Sequence, residues 1–269
     1  MTDKYDFDVA VIGAGPAGYV ASIRAAQLGA RTCVIEKGEL GGVCTNVGCI
    51  PTKALWHAAR VLLQVRRARE FGVGPGDIRP DFRAAAARRT SVVERLRGGI
   101  KALLAGNKVE LVRAEARFRD AHTLHVEGPD LSRDLTARRI IVATGSRSAA
   151  LPMAPFDHRT VVDSGDAVLA DELPESVLIV GGGYIGVEFA GIYSAFGVPV
   201  TIVEAAMPLS NSVPMSQACS AGGLAASVVA SAFTTMLPTK LRASSTSTPV
   251  IMNASPTARS VSRRLPLAR

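Results

Sequence analysis

Residues 7–18 read FDVAVIGAGPAG, and residues 176–186 read SVLIVGGGYIG. In each, an apolar run of strand type ends in Gly-x-Gly-x-x-Gly: Gly13, Gly15 and Gly18 first, then Gly181, Gly183 and Gly186. Each continues through a helix-forming stretch, to Leu28 or Phe196, into a second apolar strand closed by an acid. Those strands are Thr32–Ile35 before Glu36 and Val200–Val203 before Glu204. The first glycine permits the tight turn after the strand, the second lets the backbone approach a pyrophosphate, and the third lets helix pack on strand. The phosphates then meet free N–H groups at the positive end of the helix. Glu36 and Glu204 stand where an acid accepts hydrogen bonds from a ribose diol. No Arg is placed there for a 2′-phosphate, so the second site is expected to prefer NAD to NADP. A lone glycine pattern is weak evidence. Here strand, turn, helix, strand and acid recur at identical spacing, which predicts an α/β chain with two Rossmann-like dinucleotide-binding folds.

The stretch between them reads as helix over about Pro51–Glu70 and Phe82–Gly106, broken by the Gly/Pro-rich Gly72–Pro80. Short strands are expected near Val109–Arg113, Leu124–Val126 and Arg139–Ala143. After about Ala206 the character changes. Residues 208–269 hold 18 Ser or Thr, six Pro, one aromatic and no acid. Such a composition rarely supports a packed core, and only Ala218–Phe233 reads as a weak helix. The second fold is therefore expected to be incomplete, followed by a disordered tail or by a segment read in a shifted frame. The abrupt loss of one charge sign in mid-fold favours the shifted frame.

That tail also explains the net charge of +8. Six of the 31 basic residues lie after Glu204, and without them 25 basic residues face 23 acidic ones. A basic nucleic-acid-binding face is not indicated. No leader pattern opens the chain, and apolar runs such as Leu224–Val229 are too short to cross a bilayer, so the expectation is a cytoplasmic protein without a membrane partner.

Residues 41–55, GGVCTNVGCIPTKAL, hold the chemistry. Cys44 and Cys49 flank four residues at the entrance to a helix, and Pro51 falls in its first turn, where a missing N–H costs nothing. A pair so placed can close a small disulfide, and a helix-terminus position lowers a thiol's pKa. Two unpaired buried thiols or half of a zinc site are the bland alternatives. Zinc needs two more ligands, and neither Cys33 nor Cys219 has a Cys or His neighbour in sequence. Cys33, within a strand, reads as a small core residue.

With Val11–Gly18, Ala114–Phe118 (AEARF), Ile141–Ser146 (IVATGS) and Gly181–Tyr193 (GGGYIGVEFAGIY), this stretch resembles the pyridine nucleotide–disulfide oxidoreductase family over about residues 5–206. Within it the dihydrolipoyl dehydrogenases are most similar, mercuric and glutathione reductases less so. The resemblance implies an FAD-binding domain with a redox disulfide at 1–150, the first part of an NAD-binding domain at 151–207, and an aberrant tail at 208–269. It implies FAD contacts at Gly13, Gly15, Gly18, Glu36, Lys37, Gly42, Lys53, Ala116, Thr144, Gly145 and Ser146. NAD contacts would be Gly181, Gly183, Ile185, Gly186 and Glu204, with no metal.

By position Cys49 resembles the flavin-proximal thiol and Cys44 the interchange thiol that meets the substrate sulfur. Lys53 matches the lysine near the flavin, and Glu188, in the first turns of the NAD-side helix, matches its ion-pair partner. Tyr184 is placed to shield the flavin or simply to pack. The implied substrate is a dihydrolipoyl-bearing protein or small disulfide, and the intact family is homodimeric. Nothing after Glu204 resembles the family's dimerisation domain or its His–Glu base, so dihydrolipoamide turnover by this chain is expected to be absent or very weak. A non-catalytic nucleotide-binding fragment is the alternative from another class. The apolar face of Val200–Val203 is expected to be partly uncovered.

Overall fold

The computed structural model describes residues 4–204 and, by backbone, Ala226–Ala230 and Val250–Asn253. It divides into two units, Met1–His57 with Arg83–Arg147, and Ala58–Phe82 with Ser148–Arg269.

The first unit opens with β1 (Phe7–Ile12), α1 (Pro16–Gln27) and β2 (Thr32–Ile35), then α2 (Gly42–Asn46) and the start of α3 (Cys49–Arg66). It resumes with α4 (Phe82–Gly106), β3 (Glu110–Val112), β4 (Glu115–Phe118), β5 (Thr123–Gly128) and β6 (Leu131–Val142). Strand order is β3-β2-β1-β6-β5-β4. β1 lies parallel to β2, with Val9 opposite Thr32 and Ile12 opposite Ile35. The twelve-residue β6 serves two partners. Its first half runs antiparallel to β5, and its second half parallel to β1, Val9 opposite Arg139.

The strand sequences explain this layering. VAVI and TCVI are apolar at successive positions because both faces are covered, as parallel sheets require. Ala10, Ile12, Cys33 and Ile35 pack with Leu124, Val126, Leu135 and Ala137 of the antiparallel extension. Val11 and Val34 face the other way, onto Leu40 and onto Ile100 and Leu104 of α4. Fully burying a Leu or Ile side chain stabilises by roughly 1.5–3 kcal/mol. Cys33 is a core residue with 0% exposure, and burial pushes its thiol up to about 12. α1, α3 and α4 fall where sequence places them, with a 3₁₀ turn at Ala68–Phe71 after α3, and α2 is an addition to that reading. β4 and the first half of β6 are additions to the sequence reading. In β6 the buried Leu135 and Ala137 alternate with exposed Asp134 and half-buried Thr136, a period-two pattern that its charged neighbours mask.

In the second unit β7 (Val161–Val162) leads into α5 (Ser164–Leu169), which Asp163 and Asp166 close with a reciprocal capping box. Then come β8 (Val177–Val180), α6 (Tyr184–Ala195) and β9 (Val200–Glu204). β10 (Ala226–Ala230) and β11 (Val250–Asn253) complete a sheet of order β10-β9-β8-β11-β7. β8, β9 and β10 run parallel; β11 is antiparallel to β8 and β7.

Two expectations are corrected here. The described part of Ala218–Phe233 is a strand, in keeping with adjacent β-branched Val228 and Val229, and not a helix. The other concerns β9, whose Val200 and Ile202 are covered while Thr201 and Val203 are half-buried, so little of its apolar surface is open. β10 pairs along it, and Val200 and Ile202 are 3% and 1% exposed. The rest of 205–269, including Cys219, lies outside the described residues. Among the described residues no helix is long and apolar enough to cross a membrane.

Candidate functional site

The two fingerprints repeat one another bond for bond. Gly13 N–H donates to the Ile35 carbonyl at 2.7 Å, and Gly181 N–H to that of Val203 at 2.8 Å. Both glycines take left-handed backbone, φ 98° and 111°, which an L side chain resists. A methyl on Gly18 would fall on the Gly13 carbonyl oxygen, and one on Gly186 on that of Gly181. These contacts seat the helices so that Gly15 and Gly183 become their N-caps, in extended conformation. Neither cap has a side-chain hydrogen bond, and neither helix has an acid in its first turn. The positive helix ends are thus left for an external anion, and the residues fit the pyrophosphate of a dinucleotide.

The closing acids are held alike. Glu36 Oε2 accepts from Ala14 N–H at 2.7 Å, and Glu204 Oε2 from Gly182 N–H at 2.6 Å. Glu36 Oε1 also accepts from Gly38 N–H. Each carboxylate is thereby fixed beside its glycine turn, where a ribose diol would sit. Thr144 follows Ala143, whose carbonyl abuts Gly13, so it stands next to the first turn with exposed Gly145 and Ser146. Lys37 is exposed and pairs loosely with Glu115, the neighbour of Ala116 on β4. Half-buried Ile185 follows Tyr184, which is 70% exposed and does not pack into its unit.

The redox segment is tied to the first fingerprint through Gly42. Gly41 (φ 95°) and Gly42 (φ 56°) make a left-handed step into α2, Gly41 N–H donates to the Ala14 carbonyl, and a Cβ on Gly42 would be 2.7 Å from Gly15 Cα. α2 is a single short turn bearing Cys44, and α3 starts at Cys49. Gly48 lets the chain turn back closely, since a Cβ there would be 2.9 Å from the Val43 carbonyl oxygen and 3.3 Å from Cys44 Cα. The result is that Cys44 and Cys49, both free thiols, lie near enough for Cys49 to bear on the ionisation of Cys44. Thr52, bonded to the Gly48 carbonyl through both N–H and hydroxyl, caps the junction.

The expectation of a lowered thiol pKa fails for Cys44, which is pushed up to about 11. Burial of a thiol that gains no strong cation contact dominates, and neighbouring Cys49 adds to it; Lys53 opposes this only weakly. Cys44 sits in the middle of a five-residue helix, whose dipole is too short to offset desolvation. Cys49 is exposed at the start of an 18-residue helix. Lys53 is exposed on α3 in the first unit, while Glu188 is the fifth residue of α6 in the second. Glu188 lies past the first turn, so the helix end favours it less than its sequence position suggests.

Sequence reading assigned no role to Asn46 or to Arg97 of α4. Asn46 Nδ2 donates to the carbonyls of Leu40 and Gly42, and its Oδ1 accepts from Arg97 Nε and Nη2. Asn46 lay within the quoted motif; nothing local marked Arg97.

Two dinucleotide turns and a dithiol welded to the first of them define a class, nucleotide-dependent disulfide oxidoreductases. The pattern of the pyridine nucleotide-disulphide oxidoreductase family matches residues 7–221, and the chain belongs to that family. It is 47% identical over 196 residues to a dihydrolipoyl dehydrogenase of Geobacillus stearothermophilus, covering 73% of this chain and 42% of that protein. A dihydrolipoyl dehydrogenase of Bacillus subtilis (strain 168) is 43% identical over 197 residues, with 73% and 42% covered. Among solved structures, the Cu(II) complex of the HOCl-induced flavoprotein disulfide reductase RclA from Escherichia coli superposes with a TM-score of 0.69 at 30% identity. That match covers 85% of this chain and 49% of RclA. The chain thus spans less than half the length of the relatives it matches.

Proposed function

We propose that the chain is the FAD-binding and partial NAD-binding portion, 1–150 and 151–207, of a disulfide oxidoreductase of dihydrolipoyl dehydrogenase type. The observation behind this reading is the Cys44–Cys49 pair joined to the Gly15–Gly42 contact, which puts thiol chemistry beside a pyrophosphate-binding turn. When bound, FAD supplies a two-electron relay between the thiols and a nicotinamide.

The chain's own residues do the rest. A substrate thiolate attacks Cys44 of the oxidised pair, the Cys44–Cys49 bond breaks, and Cys49 leaves as thiolate. The second substrate thiol then displaces Cys44 from the mixed disulfide, leaving an oxidised substrate and the dithiol. Cys44, held at about 11, retains its proton at neutral pH, so the reverse attack needs a base that takes it. Lys53 places a cation one turn beyond Cys49, and Glu188 is the acid this reading assigns to the NAD-side helix. Gly13, Gly15, Gly18 and Gly42 cradle the FAD pyrophosphate, with Glu36 on its ribose; Gly181, Gly183, Ile185, Gly186 and Glu204 do the same for NAD. Lys37, Ala116, Thr144, Gly145 and Ser146 line the FAD side. The proposed substrate is a dihydrolipoyl-bearing protein or small disulfide.

The absorption spectrum of the purified full chain, before and after one equivalent of dithionite, tests this reading. A flavin spectrum that gains a long-wavelength thiolate–flavin band supports it. A chain that remains colourless in excess FAD refutes the flavin assignment.

A further inference from the structure

Gly41 and Gly42 lie in succession in left-handed conformations, and a turn of two glycines has little intrinsic preference for one shape. Something outside the turn must hold it. Asn46 Nδ2 reaches the Leu40 carbonyl at 3.0 Å and the Gly42 carbonyl at 2.8 Å, bracketing both glycines. Its Oδ1 accepts Arg97 Nε at 3.1 Å and Nη2 at 2.8 Å, so both donors and both lone pairs of the amide are used. Reversing that amide would set its NH₂ against the guanidinium, which fixes its orientation. Arg97 also pairs with Glu39 at 3.4 Å. It is two-thirds buried on α4, one turn before the core residue Ile100 and two before Leu104, so the fork is anchored to the unit's core.

We propose that Arg97 is the positioning residue of the redox loop: acting through Asn46, it holds the Leu40–Gly42 turn and α2 in the one arrangement that keeps Cys44 within bonding reach of Cys49. This rests on reading the two cysteines as the redox pair. A lysine cannot take its place, because the contact is a planar two-donor fork. The property controlled is the effective concentration of one thiol for the other, which sets how readily the pair closes.

The test is an equilibrium that needs no flavin. The full chain is brought to equilibrium with reduced and oxidised dithiothreitol, quenched by alkylation, and the Cys44–Cys49 disulfide is counted by mass spectrometry. As the protein disulfide forms, the ring disulfide of the oxidant breaks, and two protons pass from the cysteines to its sulfurs. Arg97→Ala is expected to lower the equilibrium constant about tenfold, with Arg97→Lys and Asn46→Asp falling nearer to it than to wild type. Glu39→Gln, which leaves the fork in place, stays within about twofold. The Arg97→Ala/Asn46→Ala double variant loses no more than the larger single loss, because the two residues act in one chain of contacts.

Arg97→Ala and Arg97→Lys variants that keep the wild-type constant overturn the proposal. If Arg97→Ala does not fold, Arg97→Lys and Asn46→Asp decide alone. A wild-type chain that never forms the Cys44–Cys49 disulfide overturns the redox reading itself, and the positioning proposal with it. A wild-type chain that forms it, with variants that match it, overturns only the role of Arg97.

Discussion

Replacing Gly42 by alanine tests the junction between the redox segment and the first fingerprint. The new Cβ would lie 2.7 Å from Gly15 Cα, which is backbone at a helix N-cap and cannot rotate away. Ordinary carbon contact requires the two segments to part by roughly 1 Å. The φ of 56° adds the cost of a left-handed L residue, about 1–2 kcal/mol, and overpacking against fixed backbone adds about 1–3. The expected loss is therefore about 2–5 kcal/mol.

Two controls divide this figure. Gly29→Ala, in the same unit, has φ 89° and nothing within 4 Å, so it should show the conformational part alone, about 1–2 kcal/mol. Gly15→Ala brings its Cβ only to 3.8 Å from Gly42 Cα, at an ordinary φ of −70°, and should cost about 1 kcal/mol or less. Yet its methyl stands in the crease a pyrophosphate would enter, so flavin binding should fall at least tenfold while the fold survives. The chain's single tryptophan, Trp56 on α3 in the first unit, reports urea unfolding by fluorescence, and FAD titration reports the cradle. A Gly42→Ala variant no less stable than Gly29→Ala would refute the tight-junction argument. A Gly15→Ala variant that binds FAD normally would refute the cradle.

Other outcomes follow from charge. Because Cys44 is held at about 11, its alkylation by iodoacetamide should climb about tenfold per pH unit from pH 7 to near pH 10 without levelling; a plateau below pH 9, read by peptide mass spectrometry, would contradict the burial argument. Asp6 staples β1 to β6 by accepting Thr136 N–H at 2.7 Å and its hydroxyl at 2.8 Å, and these bonds hold its carboxyl below the usual range. A depressed carboxylate stabilises above its unfolded pKa, and the effect is lost as pH falls through the folded value. Asp6→Asn should thus cost about 1 kcal/mol at pH 7, discounted for exposure, and progressively less below pH 4; an equal urea-midpoint difference at pH 7 and pH 2.5 would rule this out. Glu204→Gln keeps an acceptor for Gly182 N–H but removes the charge. NADH affinity should fall about tenfold and the discrimination against NADPH should shrink, both measurable by fluorescence titration; unchanged ratios would remove Glu204 from the ribose site.

Much of the fold was legible because its signals are local. Strand, glycine turn and helix lie within a dozen residues of one another, and the acid that closes each unit follows at fixed spacing, so one pattern specifies a structure whose bonds then repeat to within 0.1 Å. β6 was seen only in part. Its apolar positions alternate with charged ones, and only the pairing with β5 across a two-residue turn reveals which face is buried. The strand at Ala226–Ala230 was misjudged for the opposite reason. Composition marks that region as poor in core-forming residues, whereas the unpaired edge of β9 offers backbone partners, which no windowed property of residues 218–233 records.

Arg97 marks the boundary of what such reading can reach. Within α4 it is one of several arginines in a helix whose charged positions look like a solvated face, and its partner lies 51 residues earlier. Its meaning depends on a coincidence of two surfaces: the helix face set by Ile100 and Leu104, and the Asn46 amide set by two glycine carbonyls. Neither surface can be read from residue order alone. The motif stretch therefore names the reacting thiols, while the device that keeps them together belongs to the tertiary fold. A change on α4, far from any cysteine in sequence, should alter the thiol–disulfide equilibrium more than most changes made inside residues 50–60.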